Sequence, residues 1–284
     1  MLASCHISLW GNEKKDSRIE SDVAIANKVV NGKAGKWKTN LLVGADAEYE
    51  SLKQTLGFCR SYHYKTTLRW GKRGEQVLPS ELFLDYSKTM LSYRALADQR
   101  LSDLCDVWDE RVQQAKLNAP MLCARHSYPT PAQLKLLCGV EIEINPLPEA
   151  GDLILDIEDG EAQKLLSEER GRMQVLEETR VQEAMGDLWQ RFQKILLLAE
   201  RSLNITDDGG SSRYRDSWYV NLKEFKEVAK KLNFTDDAKF NELFSECARM
   251  VNDHSPEEYE QQLDLREEGA AKVQKILDQM KGIF

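Results

Sequence analysis

The chain has 284 residues, 42% of them hydrophobic and 30% charged, with a formal net charge of -8 and six cysteines. That length can bury a core as one large domain or two smaller ones, and the acidic balance argues against sequence-blind coating of nucleic acid. No apolar run approaches the roughly 18–20 residues that span a bilayer, and the first residues lack a signal peptide's cationic start and apolar core. A cytoplasmic protein with no membrane partner is therefore expected.

Residues 3–10 alternate loosely as a strand, and Val23, Ala26 and Val30 place a helix over 14–30. Asn31 to Lys36 is a turn-rich break, 37–43 a short strand, and 46–64 a second helix with Leu52, Leu56 and Cys59 inward. The stretch 70–79 reads as a loop with two glycines. Pro79-Ser80-Glu81 then opens a long helix to about 117, striped by Tyr86, Met90, Tyr93, Ala97, Leu104 and Trp108. Tyr128 to Pro131 breaks the chain and starts a short helix.

Val140 to Ile144 alternates strictly, and with 152–157 it forms an antiparallel hairpin over about 140–157. A second long helix covers 161–203. Its seam of Val181, Met185, Leu188, Phe192, Ile195 and Ala199 packs against the helix at 81–117 of the same chain or against a second copy. Residues 204–218 read as a linker. Three helical segments follow in 219–284, with a capping-box pattern at Asn221 to Glu224, an opening at Thr235, and Ser255-Pro256-Glu257-Glu258. The fold class is α+β and predominantly helical: a body over 1–203 and a helical module over 219–284.

Charge is unevenly spread: residues 1–73 carry 13 Lys and Arg against 7 Asp and Glu. From Arg60 to Arg73 there are cations and rings and no acid. Lys36, Lys38, Arg60, Tyr62, Tyr64, Lys65, Arg69, Trp70, Lys72 and Arg73 are the candidate contacts to nucleic acid. Cations following phosphates and rings stacking on bases suit a single strand. The competing reading makes Tyr62, Tyr64 and Trp70 core anchors with cations snorkelling around them.

No complete catalytic motif is present, so a non-enzymatic role without cofactor is expected. Asn31 to Thr39 has the flavour of a phosphate loop, but Trp37 stands where Ser or Thr must follow the lysine. Gly71-Lys72-Arg73-Gly74 matches the GxxG clamp of KH modules over four residues only, and a plain turn explains it. Cys123, His126 and Cys138 lack a fourth zinc ligand. Glu141, Glu143, Asp152, Asp156, Glu158 and Asp159 would suit a metal-dependent nuclease, but alternation puts Glu141 and Glu143 on the wet face. Cys59 and His63 stand one helical turn apart with nothing to complete a catalytic pair. The wide apolar face of 161–203 calls for a homo-oligomer, with Trp189, Phe192, Leu196 and Leu197 at the contact.

The pattern Arg60-x-Tyr62-His63-Tyr64-x-x-Thr67-Leu68-x-Trp70-Gly71, then Leu78-Pro79-Ser80 and Tyr86, resembles an uncharacterised family of tailed phages and conjugative elements. So do Ile7-x-x-Trp10 with Lys14-Lys15-Asp16, and Pro146-Leu147-Pro148-x-Ala150-x-Asp152. The resemblance covers roughly residues 5–200. The chain departs from it at Arg69, where a proline is expected, and at Lys65-Thr66, where an acidic-polar pair is expected. That family is known by sequence and lends no mechanism. Its members lie among genes for DNA processing, near MoxR-type AAA+ ATPases and single-strand annealing proteins. The resemblance thus implies an accessory protein of phage or mobile-element DNA processing, working in the host cytoplasm and contacting nucleic acid through 28–73. The other reading it implies is an adaptor or substrate of an AAA+ ATPase.

Overall fold

The structure, a computed structural model, describes residues 1–29, 35–71, 74–123, 126–147, 160–204 and 214–282. Strand β1 (Leu2–Ser8) is followed by strand β2 (Glu13–Lys15) and helix α1 (Ser17–Ala26). The periodicity of 14–30 places the start of α1 too early because Asp16 is its N-cap. Its carboxylate accepts the N–H groups of Arg18 and Ile19 at 3.1 and 3.3 Å, a cap worth about 1 kcal/mol. Lys14 and Lys15 are left to pair in β2 with strand β3 (Lys38–Asn40), antiparallel, with Glu13 opposite Asn40 and Lys15 opposite Lys38.

Helix α2 (Ala47–Thr66) leads into two very short strands, β4 (Leu68–Arg69) and β5 (Gln76–Val77). A 3-10 turn at Ser80–Leu82 precedes helix α3 (Phe83–Asn118). Helices α4 (Pro120–Cys123) and α5 (Pro131–Leu137) then lead to strand β6 (Gly139–Asn145). The long helix α6 (Gly160–Leu203) comes next, and then α7 (Ser217–Leu232), α8 (Ala238–Asp253), α9 (Pro256–Gln261) and α10 (Leu263–Met280). The result is a predominantly helical α+β fold with one four-stranded sheet, order β4-β5-β1-β6, and the β2-β3 ribbon.

Strand β6 alternates as expected, with Val140 buried and Glu141 and Glu143 exposed. Its expected hairpin partner, 152–157, lies outside the described residues, and its sheet neighbour is β1. The linker signal at 206–212 also lies outside them. Asn221 sits inside α7 rather than at its start, and α8 is capped by Asp237 rather than opened at Thr235. The capping box at Ser255 and Glu258 is present as expected. The third expected helix is divided in two, α9 and α10, at Gln262. Among the described residues, no helix is long and apolar enough to cross a membrane.

The chain forms two compact units, one of Cys5–Tyr62 and Ser87–Ile142, the other of Met1–Ser4, His63–Tyr86 and Glu143–Phe284. The first unit is built around Trp10, whose ring meets Tyr49 and Trp108 edge-on at 6.2 and 5.3 Å. Each ring also fixes a backbone group: the Tyr49 hydroxyl donates to the Trp10 carbonyl at 2.7 Å, and Trp108 Nε1 donates to the Pro129 carbonyl at 2.7 Å. At the edge of this core Arg111 grips Glu48 with two guanidinium N–H donors at 2.8 and 2.5 Å. The arginine holds the Glu48 carboxyl below the usual carboxylate range. A depressed folded-state pKa gives stability that is full above the unfolded value and fades as pH falls through the folded one. Glu48→Gln is therefore expected to lower the melting temperature at neutral pH. The gap to the parent should close as the pH drops below the range where carboxylates ionise, which thermal melts across pH would show.

The second unit is organised on the C-terminal half of α6. Phe192 is fully buried among Phe225 of α7 and Phe240 and Phe244 of α8, with ring centroids 5.5–6.4 Å apart. Trp189 packs edge-on against Phe240 at 5.2 Å, and its Nε1 donates to Asp237. Helix α10 also packs on α6. Gly269 makes room for it: a side chain there would begin 3.1 Å from the Tyr259 ring and 3.3 Å from Leu203. Trp189, Phe192 and Leu196 are thus buried inside this unit, and of the four residues expected at an oligomer contact only Leu197 is exposed. The helices after residue 216 supply the cover that a second copy was expected to give. Phe192→Ala should cost about 3–5 kcal/mol of stability, read from the denaturant midpoint.

Candidate nucleic-acid interface

The end of α2 decides which rings face out. His63 is buried, and its Nδ1 lies 2.8 Å from the Tyr86 hydroxyl. Thr67 donates its hydroxyl to the His63 carbonyl at 2.7 Å, a local side-chain bond that competes with further helix. The chain then leaves α2 into β4, where alternation buries Leu68 and Trp70 and exposes Arg69. Trp70 donates its backbone N–H to the Glu75 carbonyl at 3.0 Å, closing the turn that joins β4 to β5. Gly71 and Gly74 take φ of 68° and 84° in that turn, a left-handed conformation that favours glycine.

Helix α6 meets this turn through Asp187 and Arg191. Asp187 accepts the Arg69 backbone N–H at 3.1 Å and a guanidinium N–H of Arg191 at 2.6 Å. The other arm of Arg191 donates to the Tyr64 carbonyl at 2.6 Å. Together these groups enclose a polar cleft of about 340 Å³ lined by Tyr64, Arg69, Gly71, Gly74, Gln76, Asp187 and Arg191. Tyr64, at its rim, is 50% exposed. Arg180 lies behind Gly71, its Nε 3.4 Å from where a side chain would start. That Nε is buried and has no partner among the described residues.

Of the ten residues expected to touch nucleic acid, the structure brings Tyr64 and Arg69 together in this cleft. Trp70 is 2% exposed and cannot stack on a base; it is a core ring. Tyr62 packs on Tyr93, with centroids 6.0 Å apart. Lys65 pairs with Glu224 at 3.0 Å, and Lys38 with Glu13 at 2.9 Å. Lys36 and Arg60 are exposed in the other unit. Lys72 and Arg73 lie outside the described residues. Asp187, Arg191 and Arg180 fall between the members of the α6 seam, where sequence alone marks no more than polar positions. The Asp187-x-x-x-Arg191 spacing marks an ion pair but not its grip on β4 and α2.

The other candidate chemistries stand as follows. Cys123 donates to the Ala115 carbonyl at 3.4 Å, and Cys138 accepts the Trp10 N–H at 3.3 Å, so both sulfurs have local structural partners. Among the described residues, no three His, Cys, Asp or Glu side chains come together as a metal site. No family model, curated protein or solved structure matches the chain.

Gly71 supports the cleft by conformation and by space. Gly71→Ala should destabilise the protein by about 1 kcal/mol or more, because its φ is positive and the new methyl meets Arg180. The same change at Gly57, where a side chain meets nothing within 4 Å, should be neutral or stabilising, because alanine is the better helix former. Denaturant unfolding of both variants checks the contrast.

Proposed function

We propose that the protein contacts single-stranded nucleic acid through the cleft between the β4–β5 turn and α6, without catalysing a reaction. The observation that carries this reading is that half-exposed Tyr64 shares one cleft with Arg69 and Arg191. A ring at a cationic rim offers the two things a single strand takes from a protein, a face for a base and charge for a phosphate. Asp187 opposes an anion by itself, but its charge is spent on Arg191 at 2.6 Å. The Arg69 side chain has no ion-pair partner among the described residues, which leaves the cleft with a net cation. This narrows the working surface from the whole of 28–73 to one cleft. The wider role, an accessory factor in phage or mobile-element DNA processing, rests on the resemblance carried by the Tyr62-His63-Tyr64 pattern.

Fluorescence anisotropy with a labelled oligonucleotide, titrated at several salt concentrations, tests the reading. Tyr64→Ala should cost about 1–3 kcal/mol of binding if the ring stacks on a base. Arg69→Ala should weaken binding and reduce the log–log salt slope by about 0.7, the share of one phosphate on a single strand. Trp70→Ala should instead lose stability, since its ring is in the core. Folded Tyr64→Ala and Arg69→Ala proteins that bind as well as the parent would sink the proposal.

A further inference from the structure

The six cysteines differ in what their sulfurs touch. Cys105 donates to the Pro131 carbonyl, Cys123 to backbone carbonyls of Ala115 and Leu41, and Cys138 accepts the Trp10 N–H. Cys247 is 1% exposed, and burial pushes its thiol up to about 12. Cys5 and Cys59 alone face each other: among the described residues theirs is the one sulfur–sulfur hydrogen bond, Sγ to Sγ at 4.0 Å, between β1 and α2 of the same unit. Cys59 is fully buried, while Cys5 in front of it is partly exposed.

We infer that Cys5 and Cys59 form an oxidisable dithiol, which a hydroperoxide converts to an intramolecular disulfide linking β1 to α2. The separation suits this chemistry: the sulfurs face each other at 4.0 Å and close to about 2.05 Å on bonding. Either sulfur can donate the hydrogen bond between them. Cys5 is partly exposed and opens the pair to a peroxide little larger than water, as in redox-sensing cysteine pairs.

The steps balance. One thiol of the pair releases its proton, and its sulfur attacks one peroxide oxygen. The O–O bond breaks, and the departing hydroxide takes up a proton as water, leaving that cysteine as a sulfenic acid. The partner sulfur then attacks the oxidised sulfur. The S–O bond breaks, and hydroxide leaves with the partner's proton as a second water. Two thiols are oxidised to one disulfide and one peroxide is reduced to two waters.

The test treats the folded, fully reduced chain with hydrogen peroxide, alkylates it after unfolding, and maps peptides without reductant. The expected product is one cross-linked pair containing Cys5 and Cys59, lighter by two hydrogens and reversed by dithiothreitol, with the other four cysteines alkylated. In Cys5→Ser and Cys59→Ser proteins the cross-link should vanish. Disulfides through other cysteines, or a Cys5 and Cys59 that both remain fully alkylatable, would overturn the inference.

Discussion

The carboxylate of Asp187 is the contact on which the candidate site depends. It takes one N–H from the backbone of β4 and one from Arg191 a helical turn away, and Arg191 in turn holds the last turn of α2 at Tyr64. Three elements are fixed by two side chains. The arrangement is charge-assisted at its centre, with N···O distances short enough to be strong. It also sets the electrostatics of the cleft, because pairing with Arg191 removes the negative charge that would repel a phosphate. A neutral or apolar residue at 187 would lose the geometry and the charge balance together.

The aromatic residues of 62–70 show how backbone periodicity sorts a uniform-looking stretch. His63 and Trp70 are buried, Tyr62 leans on Tyr93, and Tyr64 is left half-exposed. Helix ends and short strands impose different periods within nine residues, so neighbouring rings meet different fates. The seam of α6 shows the complementary effect. An apolar face wider than one helix can cover is closed by α7, α8 and α10 together, through Phe192 and the rings around it.

Much of the helical framework was legible from local signals. Helix α3 begins and ends within two or three residues of its expected bounds because an apolar stripe and a proline-serine start define it. Strand β6 follows from strict alternation, and α9 from its capping box. The two-residue strands β4 and β5 were not legible, since two residues carry no period. The division of the cations into paired and free was not legible either. Lys65 finds Glu224 159 positions away, and the Arg69 amide finds Asp187 118 positions away. Such partners leave no mark in a local window. What covers α6 was not legible for the same reason: an amphipathic face announces that it will be buried, not by what.

The central claim is that Tyr64, and not one of the other rings in this basic region, meets a base. Photocrosslinking with an iodouracil-substituted oligonucleotide, followed by peptide mapping, reads this directly. The account predicts an adduct on Tyr64, lost when Arg69 is replaced by alanine and competed by unlabelled single strand. Adducts confined to the exposed Trp37 of the other unit, or no adduct under conditions where the oligonucleotide is bound, would contradict it.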